Sequence, residues 1–465
     1  MHLHSLGLAP PAALRRSRSP ESWEWDIEHG KPQPNRAGND ILMNGKITMQ
    51  QPPLDSHQMP EAVSAALANT RFIDVHTHLF TPSLGSLGLW GIDELITYHY
   101  LEAELFRSSP VKPSKYFALS KTEQADLIWK TLFVEHPPVS EASRGVVAVL
   151  KAFDLPTASA DLREARAWFA KQEIGPHIER VFQLAGISEA AMTNDPLDPA
   201  EGPLWKREAH EHPLLLPVIR LDRILNKWSE NWQTVAADGF DVDAKGTGKT
   251  VTEVRRFLVG CCERMKPVYM AVSLPDTFRC PADDLRTSFL SGAVLPVCRE
   301  FDIPLSLMIG VRLQVNPALR LAGDASGMAD LRALEYLCRS CPNNRFLVSV
   351  LSRENQHELC VYARKFANLL PFGCWWFLNN PSIVGEITRE RLEMLGTTFI
   401  PQHSDARILE QLIYKWRNTR RTLSPILTNM YRLLAEDGRP VSKQEIRQDV
   451  ERLFRSNFQQ FIKPE

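Results

Sequence analysis

The sequence predicts an α/β chain folded as a (β/α)8 barrel of the TIM type, with a large helical insertion after the first strand. Three observations predict it. Eight short apolar segments recur beyond residue 70, with amphipathic stretches between the later ones. The first ends in two histidines one residue apart, His76 and His78. The last runs into Asp405. In a closed barrel the first and last strands are neighbours, and sites gather at the C-terminal ends of strands, so these three residues are expected to meet at the mouth.

Each element can be justified in chain order. Residues 1 to about 60 are rich in Pro, Ser, Arg, Asn and Gln and lack periodicity, which predicts a disordered tail. Met43 and Met49 lie just before the ordered part, so an over-extended gene start is one expected reading of the first forty or so residues. Phe72–Val75 is the first strand, and side-chain alternation sends His76 and His78 to one face. More than a hundred residues then separate the first and second candidate strands. This insertion, about 80–185, reads as helices, including Leu89–Phe106 and Leu162–Lys171, the latter with Ser159 and Asp161 as caps. It is expected to cover the mouth as a lid or pocket wall. The other strands are Glu189–Thr193, Leu215–Arg220, Val268–Ser273, Leu305–Gly310, Phe346–Val350, Cys374–Leu378 and Thr398–Pro401. Their shortness, and the Val, Ile, Phe or Trp in several, suit buried parallel strands. Met328–Cys338 and Glu386–Leu395 are helices between them, and such alternation implies a parallel sheet. From Ala406 to the end the chain is again helical. A solvated helix face accounts for most of Arg407, Lys415, Arg417, Arg420 and Arg421. Residues 61–465 thus form one barrel domain.

Composition narrows the function. A chain of 465 residues with 44% hydrophobic content can bury a substantial core. Lys and Arg total 54 against 55 Asp and Glu, which leaves no electrostatic footprint for nucleic acid or an anionic membrane. No apolar run approaches the roughly 20 residues that span a bilayer. Arg15, Arg16 and Arg18 have no apolar stretch behind them, unlike a secretory signal. The eight cysteines all fall between Cys261 and Cys374, which does not resemble an extracellular disulfide framework. Cys338-Arg-Ser-Cys341 lacks the second pair that a structural zinc site needs. A cytoplasmic protein with reduced thiols is expected.

Two imidazoles on one strand face can grip one divalent ion. Asp405 can add a carboxylate, and Arg407 can hold an anionic group of a substrate. Ser404 or Asp405 could instead cap a helix, and Arg407 could be an ordinary surface cation. The other H-x-H triplets lack this context. His2 and His4 lie in the tail, and His210 and His212 flank Glu211 in a polar segment that reads as a solvated loop. Lys245-Gly246-Thr247-Gly248-Lys249-Thr250 has Asp243 where a phosphate loop needs glycine, and no strand precedes it, so a polar loop is expected.

Several segments taken together resemble the uronate isomerases of the amidohydrolase superfamily. Phe72-Ile73-Asp74-Val75-His76-Thr77-His78-Leu79 is similar to the family's first-strand motif. Leu89-Trp90 and His99-Tyr100 are similar to the segment that follows it. Thr193-Asn194-Asp195-Pro196 resembles its T-D-D-P turn, and Leu216 through Arg223 its P-T-F-R-P-D-K. Trp375-Trp376-Phe377 resembles its W-W-F-N, and Ser404-Asp405-Ala406-Arg407 its T-D-S-R. The matches span about residues 70 to 420 in order.

The resemblance implies a distorted (β/α)8 barrel and the interconversion of aldehyde and keto uronic acids such as D-glucuronate and D-galacturonate. It implies one divalent ion, zinc first and manganese as the alternative, on His76, His78 and Asp405. Asp405, Arg407, Tyr100 and His99 would act in catalysis. Arg220 and Arg312 would contact the substrate, a small sugar acid. Of Trp375 and Trp376, one indole is expected to pack in the core and the other to line the barrel mouth and stack on a sugar ring. A homo-oligomer is one form open to the protein. The chain also departs from the family. Met308 stands where an H-I-G-x-x-R segment has histidine, Ala103 where D-H-Y-K-W-R ends in arginine, and no histidine follows Asp276. A thioether cannot act as acid or base, so this is a divergent member with an altered substrate shell. A single-metal hydrolase, or a degenerate barrel with a binding role, are the alternatives. The hydrolase lacks the usual histidines on the fifth and sixth strands.

Overall fold

The computed structural model describes residues 53–463. Of the expected tail, residues 1–52 lie outside this range, and with them His2 and His4. From Pro53 the chain is paired. The Leu54 amide donates to the Val441 carbonyl at 2.8 Å, and a helix runs from Met59 to Asn69.

Seven parallel strands curl side by side. They are β1 (Phe72–Thr77), β2 (Ile187–Asn194), β3 (Leu215–Arg220), β4 (Met270–Pro275), β5 (Leu305–Arg312), β7 (Phe346–Val350) and β8 (Leu369–Pro371), in that spatial order. The two-residue β6 (Ala325–Ser326) pairs antiparallel with the end of β5. The predicted seventh strand at Cys374–Leu378 is a correction. Its place is taken by Leu369–Pro371, and Trp376–Leu378 form a single 3-10 turn. The predicted eighth strand, Thr398–Pro401, contributes only an isolated bridge from Ile400 to Phe372.

Residues 400–406 nevertheless close the ring. The Ile400 amide donates to Pro371 O at 3.0 Å, and Gly373 returns a bond to Ile400 O at 2.9 Å. Farther along, Asp405 donates to His76 O at 3.2 Å and His78 donates to Ala406 O at 2.7 Å. The barrel is therefore a distorted TIM barrel whose last stave is irregular chain.

Two apolar clusters follow from side-chain alternation. Ile73, Val75, Ala191, Val218, Ala271, Met308, Leu347, Leu370 and Phe372 fill the barrel interior. Phe72, Ala190, Ile219, Val272, Leu307 and Val348 face the surrounding helices. The short helix Asn457–Ile462 closes the floor, where Phe458 and Ile462 join the interior cluster. At the other end the helices between β1 and β2 stand over the mouth. The expected Leu89–Phe106 helix is broken into Ile92–Ile96 and His99–Ser108. No helix among the described residues is long and apolar enough to cross a membrane.

Candidate metal centre

β1 delivers its two histidines, though not by plain alternation. Phe72 points outward and stacks on Phe454 at 3.8 Å, and Asp74 accepts from Trp416 Nε1 at 2.8 Å. Ile73 and Val75 point inward. Continued alternation would turn His76 outward. Instead Asp74 pairs with Ala190 and Thr77 with Met192, so β1 carries one extra residue over this step. A bulge of this kind re-aims side chains, often beside active sites. Here it brings both histidines to the mouth.

The expected trio assembles there. His76 Nε2 and His78 Nε2 both face Asp405 Oδ1, at 3.7 and 3.3 Å. One ligand atom from each of the three lies within 4.8 Å of the others. Asp405 comes from the closing segment with a φ of 55°. Left-handed backbone at a non-glycine residue costs free energy and recurs at functional sites. Because the Asp405 amide pairs with His76 O, the contact that closes the barrel also places the third candidate ligand. The capping alternative is not realised, since the next helix starts only at Gln411.

The donor set fits a divalent ion. Asp405 Oδ1 is buried and has no hydrogen-bond partner, a costly state for a carboxylate oxygen. Two imidazole nitrogens and one carboxylate oxygen suit zinc or a similar borderline cation. Burial holds the His76 imidazole well below its ordinary range, and His78 and His403 lower it further. Burial also lowers His78, followed by the Arg407 and Arg220 guanidinium groups. Both rings are neutral at pH 7, the form that ligates a metal.

A third imidazole, His403, was not among the expected site residues. It is fully buried, its ring centre lies 5.3 Å from that of His76, and neither ring nitrogen has a partner. Burial pushes its pKa down to about 4. Gly373, at a φ of 64°, makes room for it, because a Cβ there would collide with the ring. Two further groups escaped sequence reading. Thr193 Oγ1 lies 2.9 Å from His78 Nδ1, and Tyr269 Oη lies 3.4 Å from His76 Nδ1. Thr193 opens the T-D-D-P-like turn but nothing in that pattern points it at His78, and a lone tyrosine such as Tyr269 carries no local pattern at all.

The helix from His99 brings its residues over the site. His99 is buried, with ring centres of Tyr98 at 4.1 Å and Tyr100 at 4.6 Å, and its Nε2 has no partner. Burial, then Arg407 and Lys415, push its pKa down to about 3. Burial, then Tyr98 and Asp405, raise the Tyr100 hydroxyl well above its ordinary value, so it stays protonated. Lys415 Nζ sits 5.7 Å above the Tyr100 ring and pairs with Glu141 at 3.2 Å. Lys415 and Arg420 correct the expected solvated helix face. Lys415 is buried, and Arg420 gives its guanidinium to the carbonyls of Leu67, Ala185 and Gly186. Neighbouring helices cover the chain at those two positions, while Arg417 and Arg421 are exposed as the solvated-face reading expects.

The remaining expected residues spread around the rim. Arg407 is half-buried and its guanidinium is unpaired among the described residues, while its amide donates to Gln411 Oε1 at 2.9 Å. Arg220 ends β3 and donates to Asp222 Oδ1 at 3.0 Å. Arg312 ends β5 with its side chain 56% exposed, and Asp276 is 3.8 Å away. Met308 is buried in the barrel interior, and Ala103 lies on the helix beside His99. Trp375 packs inside the barrel. Trp376 stacks on Phe377 at 4.7 Å, lies 6.0 Å from His99, and leaves its buried Nε1 without a partner.

The discounted motifs have structural roles. His210 is a correction, since it is buried rather than solvated and its Nδ1 lies 2.8 Å from Ser83 Oγ. In the Lys245–Thr250 turn the Asp243 carboxylate accepts from the amides of Lys245 at 2.7 Å and Thr247 at 3.0 Å. A carboxylate already occupies the donors a phosphate would need.

No protein-family model matches the chain, and no curated protein does. Among solved structures, a uronate isomerase from Bacillus halodurans C-125 superposes with a TM-score of 0.85 and 46% identity, over 88% of this chain and 97% of that one. A uronate isomerase from Thermotoga maritima gives a TM-score of 0.70 at 17% identity, over 89% and 98% of the two chains. A glucuronate isomerase from Caulobacter crescentus gives 0.64 at 15%, over 88% and 94%. The last two, at low identity, show the fold alone.

Proposed function

The chain belongs to the uronate isomerase family, and on that premise we propose that it interconverts a hexuronic acid such as D-glucuronate or D-galacturonate with its keto form, using one divalent ion on His76, His78 and Asp405. The observation that carries the reading is the convergence of both Nε2 atoms on the partnerless Asp405 Oδ1. The ion, zinc first and manganese as the alternative, supplies a Lewis acid for oxygens of the sugar acid.

Aldose–ketose isomerisation moves a proton between C2 and C1. It needs groups that carry the proton and groups that offset the charge of the enediolate. Arg407, with its guanidinium uncommitted, binds the substrate carboxylate or the enediolate oxygens. Arg220 keeps donors beyond its bond to Asp222 and takes a second oxygen. His99 is neutral, and its partnerless Nε2 takes a hydroxyl of the sugar. Tyr100, held protonated, and Arg407 flank the C1–C2 proton transfer, while Asp405 accepts a hydroxyl proton. The insertion acts as a lid that carries His99 and Tyr100. The Trp376 indole lines the pocket against the sugar ring. Trp375 stabilises the wall behind it, and Arg312 serves the outer rim. All eight cysteines are free thiols, which supports a cytoplasmic setting.

The test is an isomerase assay on purified protein with D-glucuronate and D-galacturonate, following the keto product. Turnover of either supports the reading. Stoichiometric metal without turnover of either sugar overturns it in favour of single-metal hydrolysis or another sugar acid.

A further inference from the structure

We infer that Thr193 and Tyr269 are positioning residues that lock both ligand histidines in the Nδ1–H form, so that each presents a bare Nε2 lone pair to the metal. The inference rests on the single-metal reading above and concerns residues that do not touch the ion.

The argument counts protons. A hydroxyl has one proton to donate. Thr193 Oγ1 lies 3.0 Å from the Thr77 carbonyl oxygen, and Tyr269 Oη lies 2.7 Å from the Val75 carbonyl oxygen. A carbonyl can only accept, so each hydroxyl spends its proton there. Toward the imidazole each hydroxyl is left as an acceptor. His78 Nδ1, 2.9 Å from Thr193, and His76 Nδ1, 3.4 Å from Tyr269, must therefore carry their protons. The opposite tautomer would set two lone pairs against each other.

The same connectivity appears twice, tighter at His78 than at His76. Each carbonyl belongs to the β1 residue immediately before the ligand, Val75 before His76 and Thr77 before His78. Each hydroxyl comes from another strand region, Thr193 from β2 and Tyr269 just ahead of β4. One stretch of β1 thus fixes the ligands and, through its own carbonyls, the groups that orient them. Partners of this kind typically contribute 10–100-fold to metal affinity. Thr193, at the shorter distance, is expected to contribute more than Tyr269.

The test has two readouts. Long-range proton–nitrogen spectra of the metal-free protein with 15N-labelled histidine report the tautomers directly. Competition of Zn2+ against a chelator reports affinity. Nδ1–H is expected at both rings. Thr193→Val should weaken zinc binding by about 10–100-fold, Tyr269→Phe by less, and Thr193→Ser should recover most of the loss. Nε2–H at His78 in the wild-type chain, or unchanged zinc affinity in folded Thr193→Val and Tyr269→Phe proteins, would overturn the inference. The spectrum is read without metal, so it decides the tautomer even if the wild-type chain were to bind no zinc, a result that would count against the metal reading alone.

Discussion

The mouth and the floor of this barrel are built from the same strands and arrange their polar groups differently. At the floor, Phe458 and Ile462 plug the interior, and polar side chains are spent on carbonyls. Arg455 donates to Arg71 O at 2.6 Å, and Asn457 to Thr397 O and Phe399 O at 2.7 and 2.8 Å. At the mouth, Asp405 Oδ1, His99 Nε2, Trp376 Nε1 and both nitrogens of His403 are buried without partners. Left-handed φ occurs at both ends, at Lys266 and Asp302 ahead of β4 and β5 and at Asp405 and Trp376 at the mouth, but only at the mouth does it fall on a residue of the His76–His78–Asp405 trio. The floor also leaves buried groups without partners, Arg345 Nε and Ser306 Oγ among them, but only at the mouth do such groups gather around two histidines and a carboxylate.

Substitutions at the two ends should therefore separate activity from stability. The largest effect is expected for Asp405→Ala. Loss of a ligand and of the charge stabilisation it supports should lower turnover by at least about a thousandfold, several kcal/mol of barrier, while chemical denaturation moves by less than about 1 kcal/mol. Phe458→Ala should do the reverse. It empties the floor plug and should cost about 3–5 kcal/mol of stability, with zinc affinity kept in a chelator competition. A floor variant that lost metal before it lost stability would break the comparison.

Smaller effects sharpen it. Arg407→Lys keeps the charge but loses the planar fork, and steady-state kinetics should show about a 10–100-fold drop in kcat/KM. Burial raises Glu201, beside the mouth end of β2, from 4.5 to about 7. The folded chain then holds a proton that the unfolded chain releases. This contribution to stability is complete below about 4.5 and is lost as pH rises through 7. Thermal melts of Glu201→Gln should show a flatter fall between pH 5 and 8 than the wild type. Arg312→Ala, at the exposed rim, should change kcat/KM by no more than about threefold.

Much of this contrast was legible in the sequence, and the misses have physical causes. β1 to β5 and β7 show as apolar runs because both their faces are buried. β8 escaped because three residues ending in Pro371 give too short a signal, and the aromatic run at Cys374–Leu378 gives a stronger one nearby. The eighth stave closes by backbone contacts of irregular chain, which leave no periodicity. His76, His78 and Asp405 were legible because their ends of the chain must meet in a closed barrel. Alternation from Phe72 alone would turn His76 away from the mouth, and the bulge in β1, invisible in the sequence, turns it back. His403, Thr193 and Tyr269 were missed because their roles depend on contacts across the barrel. Lys415 was misread because a cation on an amphipathic helix looks the same whether it faces water or Glu141.

The most direct test of the central claim is a zinc titration of chelator-stripped protein, with turnover of D-glucuronate as the readout. Activity should rise in proportion to added zinc, level off at one equivalent per chain, and stay flat in His76→Ala. Full turnover by the stripped protein, or by His76→Ala, would contradict the assignment of the mouth as a single-metal isomerase centre.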